Sequence, residues 1–134
     1  HSVPLTEVSR YGILSGIWED KENTILNVSA MNEKPKASYA EEFLGVRGND
    51  GKKEYCSVFG QYILTPEVFQ QLETDIRKAD EGNDHTREIE LTSALEAVRS
   101  NHGMMGVRLD GEMYDMGNPD ALCRCVAAFS KPKE

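Results

Sequence analysis

Residues Glu33-Lys34-Pro35-Lys36 are the stretch whose side-chain types could handle a polyanion. A lysine ammonium on a flexible stem is a point-charge ligand for phosphate, and Pro35 stiffens the backbone that aims it. Glu33, beside it on an extended backbone, points the other way and can accept hydrogen bonds from hydroxyls. Taken alone, the same four residues also describe a charged surface turn. Asp115 lies between Tyr114 and Gly117, where a strand ends and a capped helix begins, a place where side chains reach a cleft. A carboxylate there is a hard cation ligand or caps the turn before Asn118. Gly12 and Gly60 suit a close approach of backbone to a ligand, or a bulge or packing need. Cys123-Arg124-Cys125 has the wrong spacing for a zinc knuckle, no second Cys pair exists, and His1, His85 and His102 are scattered. Asn27-Val28-Ser29 matches the glycosylation sequon but falls within a strand.

The elements that must position these residues follow from periodicity. Residues 11–18 are apolar and β-prone, 19–23 read as a turn, and 24–31 alternate as a half-buried strand, together a β-hairpin. Pro35 ends it and restricts Lys34 to extended conformations. Residues 37–43 form a short helix and 45–53 an exposed loop. The apolar run 55–64 reads as a buried strand, with Gly60 as a bulge or a close approach. Thr65-Pro66 opens a helix whose core stripe is Val68, Phe69, Leu72 and Ile76. Residues 78–87 read as a solvated loop, and 88–100 as a helix burying Leu91, Ala94, Leu95 and Val98. A strand at 104–109 turns at Asp110-Gly111 onto a partner at 112–114. Asn118-Pro119 caps a last helix burying Leu122, Cys125, Val126 and Phe129, and the tail 130–134 frays. The class is α/β with a mixed sheet and flanking helices.

A chain of 134 residues is about one domain, so 1–134 is read as a single domain. Fifteen Lys plus Arg against 23 Asp plus Glu give a net charge of −8. That field repels phosphate backbones and anionic lipid, so neither nucleic acid nor a membrane is an expected partner. No apolar run approaches the roughly 20 residues of a spanning helix, and a signal-peptide h-region is lacking. Three cysteines, an odd number, then fit a reducing compartment, the cytoplasm.

Four stretches in order carry a resemblance: Tyr11-Gly12-Ile13, Glu33-Lys34-Pro35, Val58 through Leu64, and Glu88-Ile89-Glu90-Leu91-Thr92 with Tyr114-Asp115-Met116-Gly117 behind it. Together they resemble the C-terminal half of a sugar-1-phosphate nucleotidylyltransferase, most closely the bacterial-type UTP–glucose-1-phosphate uridylyltransferases. The likeness runs from about Tyr11 to Phe129. Gln61 stands where an arginine is usual and Ser93 where an aspartate is usual. The family's glycine-rich triphosphate loop has no counterpart among the dispersed glycines.

The resemblance implies the sugar-phosphate half of a Rossmann-like nucleotidyltransferase fold, with the missing N-terminal half as its partner and a homo-oligomer compatible with it. The implied reaction joins UTP and glucose-1-phosphate into UDP-glucose and pyrophosphate, by positioning and charge stabilisation with Mg²⁺. Lys34 is implied as the catalytic ligand of the sugar phosphate and Glu33 as the acceptor for sugar hydroxyls. Gly12 and Gly60 are implied as backbone approaches to the sugar, and Asp115 as the Mg²⁺ ligand. Thymidylyl, cytidylyl and adenylyl transfer are the near alternatives, since the base is read by the absent half. A non-catalytic sugar-phosphate-binding or oligomerisation module is the alternative from another class. The isolated chain is expected to be inactive.

Overall fold

The computed structural model describes residues 1–82, 88–114 and 116–130. The expected hairpin is present: β2 (Gly12–Trp18) and β3 (Ile25–Glu33) pair antiparallel from Gly12↔Glu33 to Trp18↔Leu26. Asp20 fixes its turn. Its carboxylate accepts the Thr24 and Ile25 N–H groups at 2.9 and 2.8 Å, and the Thr24 hydroxyl as well. These bonds, the hydroxyl's foremost, hold the Asp20 carboxyl below its usual range.

On the other side of β2 lies β5 (Lys53–Ser57), which also pairs with β1 (Ser2–Val3) and β4 (Val46–Arg47). β6 (Met105–Val107) extends the far side of β3, giving the order β1-β5-β2-β3-β6. Every pairing among the described residues is antiparallel. The class is α/β with flanking helices, as expected, but the sheet is antiparallel rather than mixed. It is also curled. Arg108, just beyond β6, bridges to Glu54 on β5 and reaches Ser2 on β1 at 3.4 Å, with its guanidinium 4.5 Å over the Trp18 ring.

The register skips Ser29 between Ser15↔Ala30 and Gly16↔Val28, a β-bulge on β3. Strand side chains alternate, so without that extra residue Met31 and Glu33 would face away from Leu26 and Val28. With it, Gly12, Leu14, Gly16 and Trp18 oppose Glu33, Met31, Val28 and Leu26 on one face. α2 (Pro66–Glu81) and α3 (Leu91–His102) cover part of that face, where Met31, Val68 and Leu95 are buried together. α1 (Ala37–Phe43) and a 3-10 turn (Leu5–Arg10) cover the opposite face over Ile13 and Tyr55.

Several expectations change. Residues 45–53 are not only an exposed loop: Val46 is buried and β4 pairs with β5. The expected strand 55–64 stops at Ser57; Gly60, three residues on, is left-handed at φ 65°, and Phe59, Tyr62 and Ile63 are exposed. The loop expected from residue 78 begins later, since α2 continues to Glu81. Residues 112–114 form no strand; β6 finds its partner in β3 instead. α4 (Pro119–Phe129) is capped as expected, Asn118 Oδ1 accepting from the N–H groups of Asp120 and Ala121 at 3.0 and 3.3 Å. Of its apolar residues only Ala121 is buried, while Leu122, Val126 and Phe129 are exposed. Expectations for 83–87 and 131–134 lie outside the described residues. Among the described residues no helix is long and apolar enough to cross a membrane.

At Gly16 the paired strands approach closely: a Cβ there would stand 2.1 Å from the Asn27 carbonyl oxygen. Backbone cannot swing aside as a side-chain end can, so Gly16→Ala is expected to cost about 3 kcal/mol. Urea unfolding checks this, and an unchanged midpoint would show that the bulge tolerates a side chain.

Candidate functional site

The end of the hairpin gathers the chemistry. Gly12 and Glu33 are directly paired residues on the helix-covered face. A Cβ on Gly12 would lie 3.0 Å from Glu33 Oε2 and 3.6 Å from both Met31 and Val58, so the bare Cα leaves room for the carboxylate. The Gly12 carbonyl accepts the Val58 N–H at 2.9 Å, which ties the segment after β5 to the same corner. From α3 the Thr92 hydroxyl donates to Glu33 Oε2 at 2.9 Å.

Lys34 departs from the extended conformation expected before a proline. Its φ is 44°, in the left-handed region, and its N–H donates to the Tyr11 carbonyl at 3.0 Å. That conformation costs a non-glycine residue about 1 kcal/mol. The hydrogen bond carries the hairpin pairing one residue past the strand. Because the backbone turns here, Glu33 and Lys34 do not point to opposite sides: Nζ lies 3.8 Å from Glu33 Oε1. The lysine head stays 65% exposed and the glutamate 29%, a pair at a rim rather than in a core.

Tyr62 lies within electrostatic reach of the carboxylate. Burial, and after it the Glu33 charge, pushes its phenol above the usual value. Tyr62 also lines a groove of about 540 Å³ with Leu14, Trp18, Leu26, Met104 and Arg108. Neither Glu33 nor Lys34 lines that groove, so the groove and the paired charges are neighbours rather than one site. The charged corner is the better chemical candidate, since β2, β3 and α3 converge on one carboxylate there.

The structure therefore brings Gly12, Glu33 and Lys34 together. Among the described residues no atom lies within 4 Å of a would-be Cβ on Gly60, so its left-handed φ is what calls for glycine. Asp115 lies outside the described residues. Among the described residues no three His, Cys, Asp or Glu side chains group as a metal site. Thr92 and Tyr62 carry no site role in the sequence reading. Thr92 falls within a motif, but its contact depends on how α3 sits on β3, which spacing along the chain does not encode.

The nucleotidyl transferase family profile matches residues 2–131. The UTP–glucose-1-phosphate uridylyltransferase of Staphylococcus haemolyticus is 36% identical over 115 residues, covering 86% of this chain and 33% of that protein. The enzyme of the same name from Streptococcus pneumoniae is 31% identical over 116 residues, covering 87% of this chain and 32% of that protein. A crystal structure of UDP-glucose pyrophosphorylase complexed with UDP-glucose superposes with a TM-score of 0.69 at 25% identity, covering 95% of this chain and 41% of that one. The chain thus spans about a third of the length of the curated relatives it matches. The expected C-terminal half does not stand: the chain matches a third of each relative, not half. The antiparallel sheet with flanking helices is the corresponding part of the same fold, and the chain belongs to the nucleotidyl transferase family.

Proposed function

We propose that this chain is one part, read as a single domain over 1–134, of a longer enzyme that transfers a uridylyl group from UTP to glucose-1-phosphate. The observation carrying this is the convergence of Gly12, Glu33, Lys34 and Thr92 at one corner of a nucleotidyl transferase fold. The names of the relatives support the choice of substrates. A phosphate oxygen of glucose-1-phosphate attacks the α-phosphorus of UTP. The bond to the terminal diphosphate breaks, and pyrophosphate leaves with the electron pair.

Lys34 neutralises the sugar phosphate. Its exposed ammonium, held loosely by Glu33, can turn to an arriving anion without losing a buried partner. Glu33 accepts sugar hydroxyls on the lone pairs that Thr92 leaves open. Gly12 gives that carboxylate its space, and Gly60 lets the backbone after β5 come close to the sugar. The triphosphate cradle and the reading of the base belong to the rest of the longer protein. Mg²⁺ is proposed as cofactor on the chemistry of two polyanions alone, with Asp115 as candidate ligand, since one or two carboxylates suffice when phosphate and water complete the shell. A cytoplasmic location is proposed on the three unpaired cysteines.

In the enzyme carrying this chain, Lys34→Ala removes a charge-assisted contact worth about 1.5–3 kcal/mol, so kcat/KM for glucose-1-phosphate is expected to fall roughly 10- to 150-fold. Glu33→Gln is expected to loosen discrimination between glucose-1-phosphate and its epimers. Wild-type kinetics in both variants would leave the pair a charged turn and end the reading. Asp115→Asn is expected to preserve the melting temperature while activity drops about tenfold and recovers in part at high Mg²⁺. An unchanged Mg²⁺ activation curve would remove Asp115 from the site. Residues 1–134 alone, given UTP, glucose-1-phosphate and Mg²⁺, are expected to release no pyrophosphate above background.

A further inference from the structure

We infer that Thr92 is a positioning residue for the Glu33 carboxylate and through it sets which sugar 1-phosphate is accepted; the inference rests on the proposed use of Glu33. Thr92 is the second residue of α3, and its hydroxyl donates to Glu33 Oε2 at 2.9 Å. On the opposite side the same oxygen sits where a Cβ on Gly12 would come within 3.0 Å. One oxygen is thus held between a hydroxyl and bare backbone. The other, Oε1, is turned toward the Lys34 ammonium at 3.8 Å.

A carboxylate offers about four acceptor directions, and an unrestrained one on a partly exposed side chain sweeps them over a wide arc. Committing one direction to Thr92 stops that sweep, so the remaining lone pairs keep fixed positions relative to the lysine. Epimers of a sugar 1-phosphate share the phosphate and differ only in where one hydroxyl points. With the phosphate held by Lys34, the acceptor positions on Glu33 decide which epimer finds its hydroxyl matched and which leaves a polar group unpaired. Thr92 need not touch the sugar to set that choice. It fixes the direction of the group that does.

The base of α3 is suited to this task. One turn further on, Glu96 Oε2 accepts the Met31 N–H at 3.1 Å, while Arg99 donates to both Glu96 oxygens at 2.8 Å. Thr92 is therefore carried on a helix that β3 itself anchors, two residues before Glu33.

The test compares wild-type enzyme carrying this chain with Thr92→Val, Thr92→Ser, Glu33→Gln and the double variant Thr92→Val/Glu33→Gln. Each is assayed with glucose-1-phosphate and galactose-1-phosphate and melted. Thr92→Val keeps the shape and loses the donor. Its preference for glucose-1-phosphate is expected to narrow about tenfold with little change in melting temperature, while Thr92→Ser stays near wild type. In the Glu33→Gln background the valine is expected to change the preference less, because the amide keeps only one acceptor oxygen for Thr92 to fix. An equal effect of the valine in both backgrounds, or an equal loss on both sugars, would overturn the inference and leave Thr92 a structural residue. So would a wild-type preference in Thr92→Val beside an altered one in Glu33→Gln. If Glu33→Gln itself keeps the wild-type preference, the reading of Glu33 fails and the inference with it.

Discussion

The structure turns on how α3 sits on β3. Two residues along a strand advance about 6.6 Å and four along a helix about 6 Å, so contacts spaced that way on the two elements can be made in parallel. Here they are. Met31 N–H meets Glu96 and the Glu33 carboxylate meets Thr92, at 3.1 and 2.9 Å, with Leu95 buried against Met31 between them. Arg99, itself mostly covered, fixes Glu96 with two further bonds at 2.8 Å. Each bond is worth only about 1 kcal/mol net, but together they hold the helix in one register. A slip by one residue would swing both side chains to the wrong side of the helix.

That fit depends in turn on Ser29. The bulge puts Met31 and Glu33 on the same face as Leu26 and Val28, and Gly16 makes the close strand approach at the bulge possible. In an unbroken alternation the glutamate would point toward α1, on the opposite side of the sheet from Thr92. The irregularity is what places the charged corner beneath α3. Lys34, in its left-handed conformation, then carries the turn onward so that its ammonium returns to the same corner.

Signals local in the chain were legible. The hairpin followed from alternation, and α4 from Asn118-Pro119, whose cap forms as expected. What depended on distant partners was not. The run 55–64 has strand composition throughout, but its pairing ends at Ser57, before the left-handed Gly60. β6 pairs with β3, far away in sequence, rather than with the nearby 112–114. The apolar stripe of α4 has helical spacing, yet spacing alone does not bring another element over Leu122, Val126 and Phe129. At the site, Glu33, Lys34 and Gly12 could be picked out by type and motif. Their mutual geometry could not, because it comes from a skipped residue and a turned backbone.

The curl closed by Arg108 has a consequence for the order of folding. Its partners Glu54 and Ser2 lie 54 and 106 residues away, whereas the hairpin closes over a short turn stapled by Asp20. Closing a long loop costs more entropy, and pairings of that range form late. During synthesis Ser2, Trp18 and Glu54 all leave the ribosome before Arg108 has been made. Through that interval the apolar strand face around Leu14, Trp18 and Leu26 is open to water and to other nascent chains. The period before one guanidinium arrives is when that face is most open to misassociation.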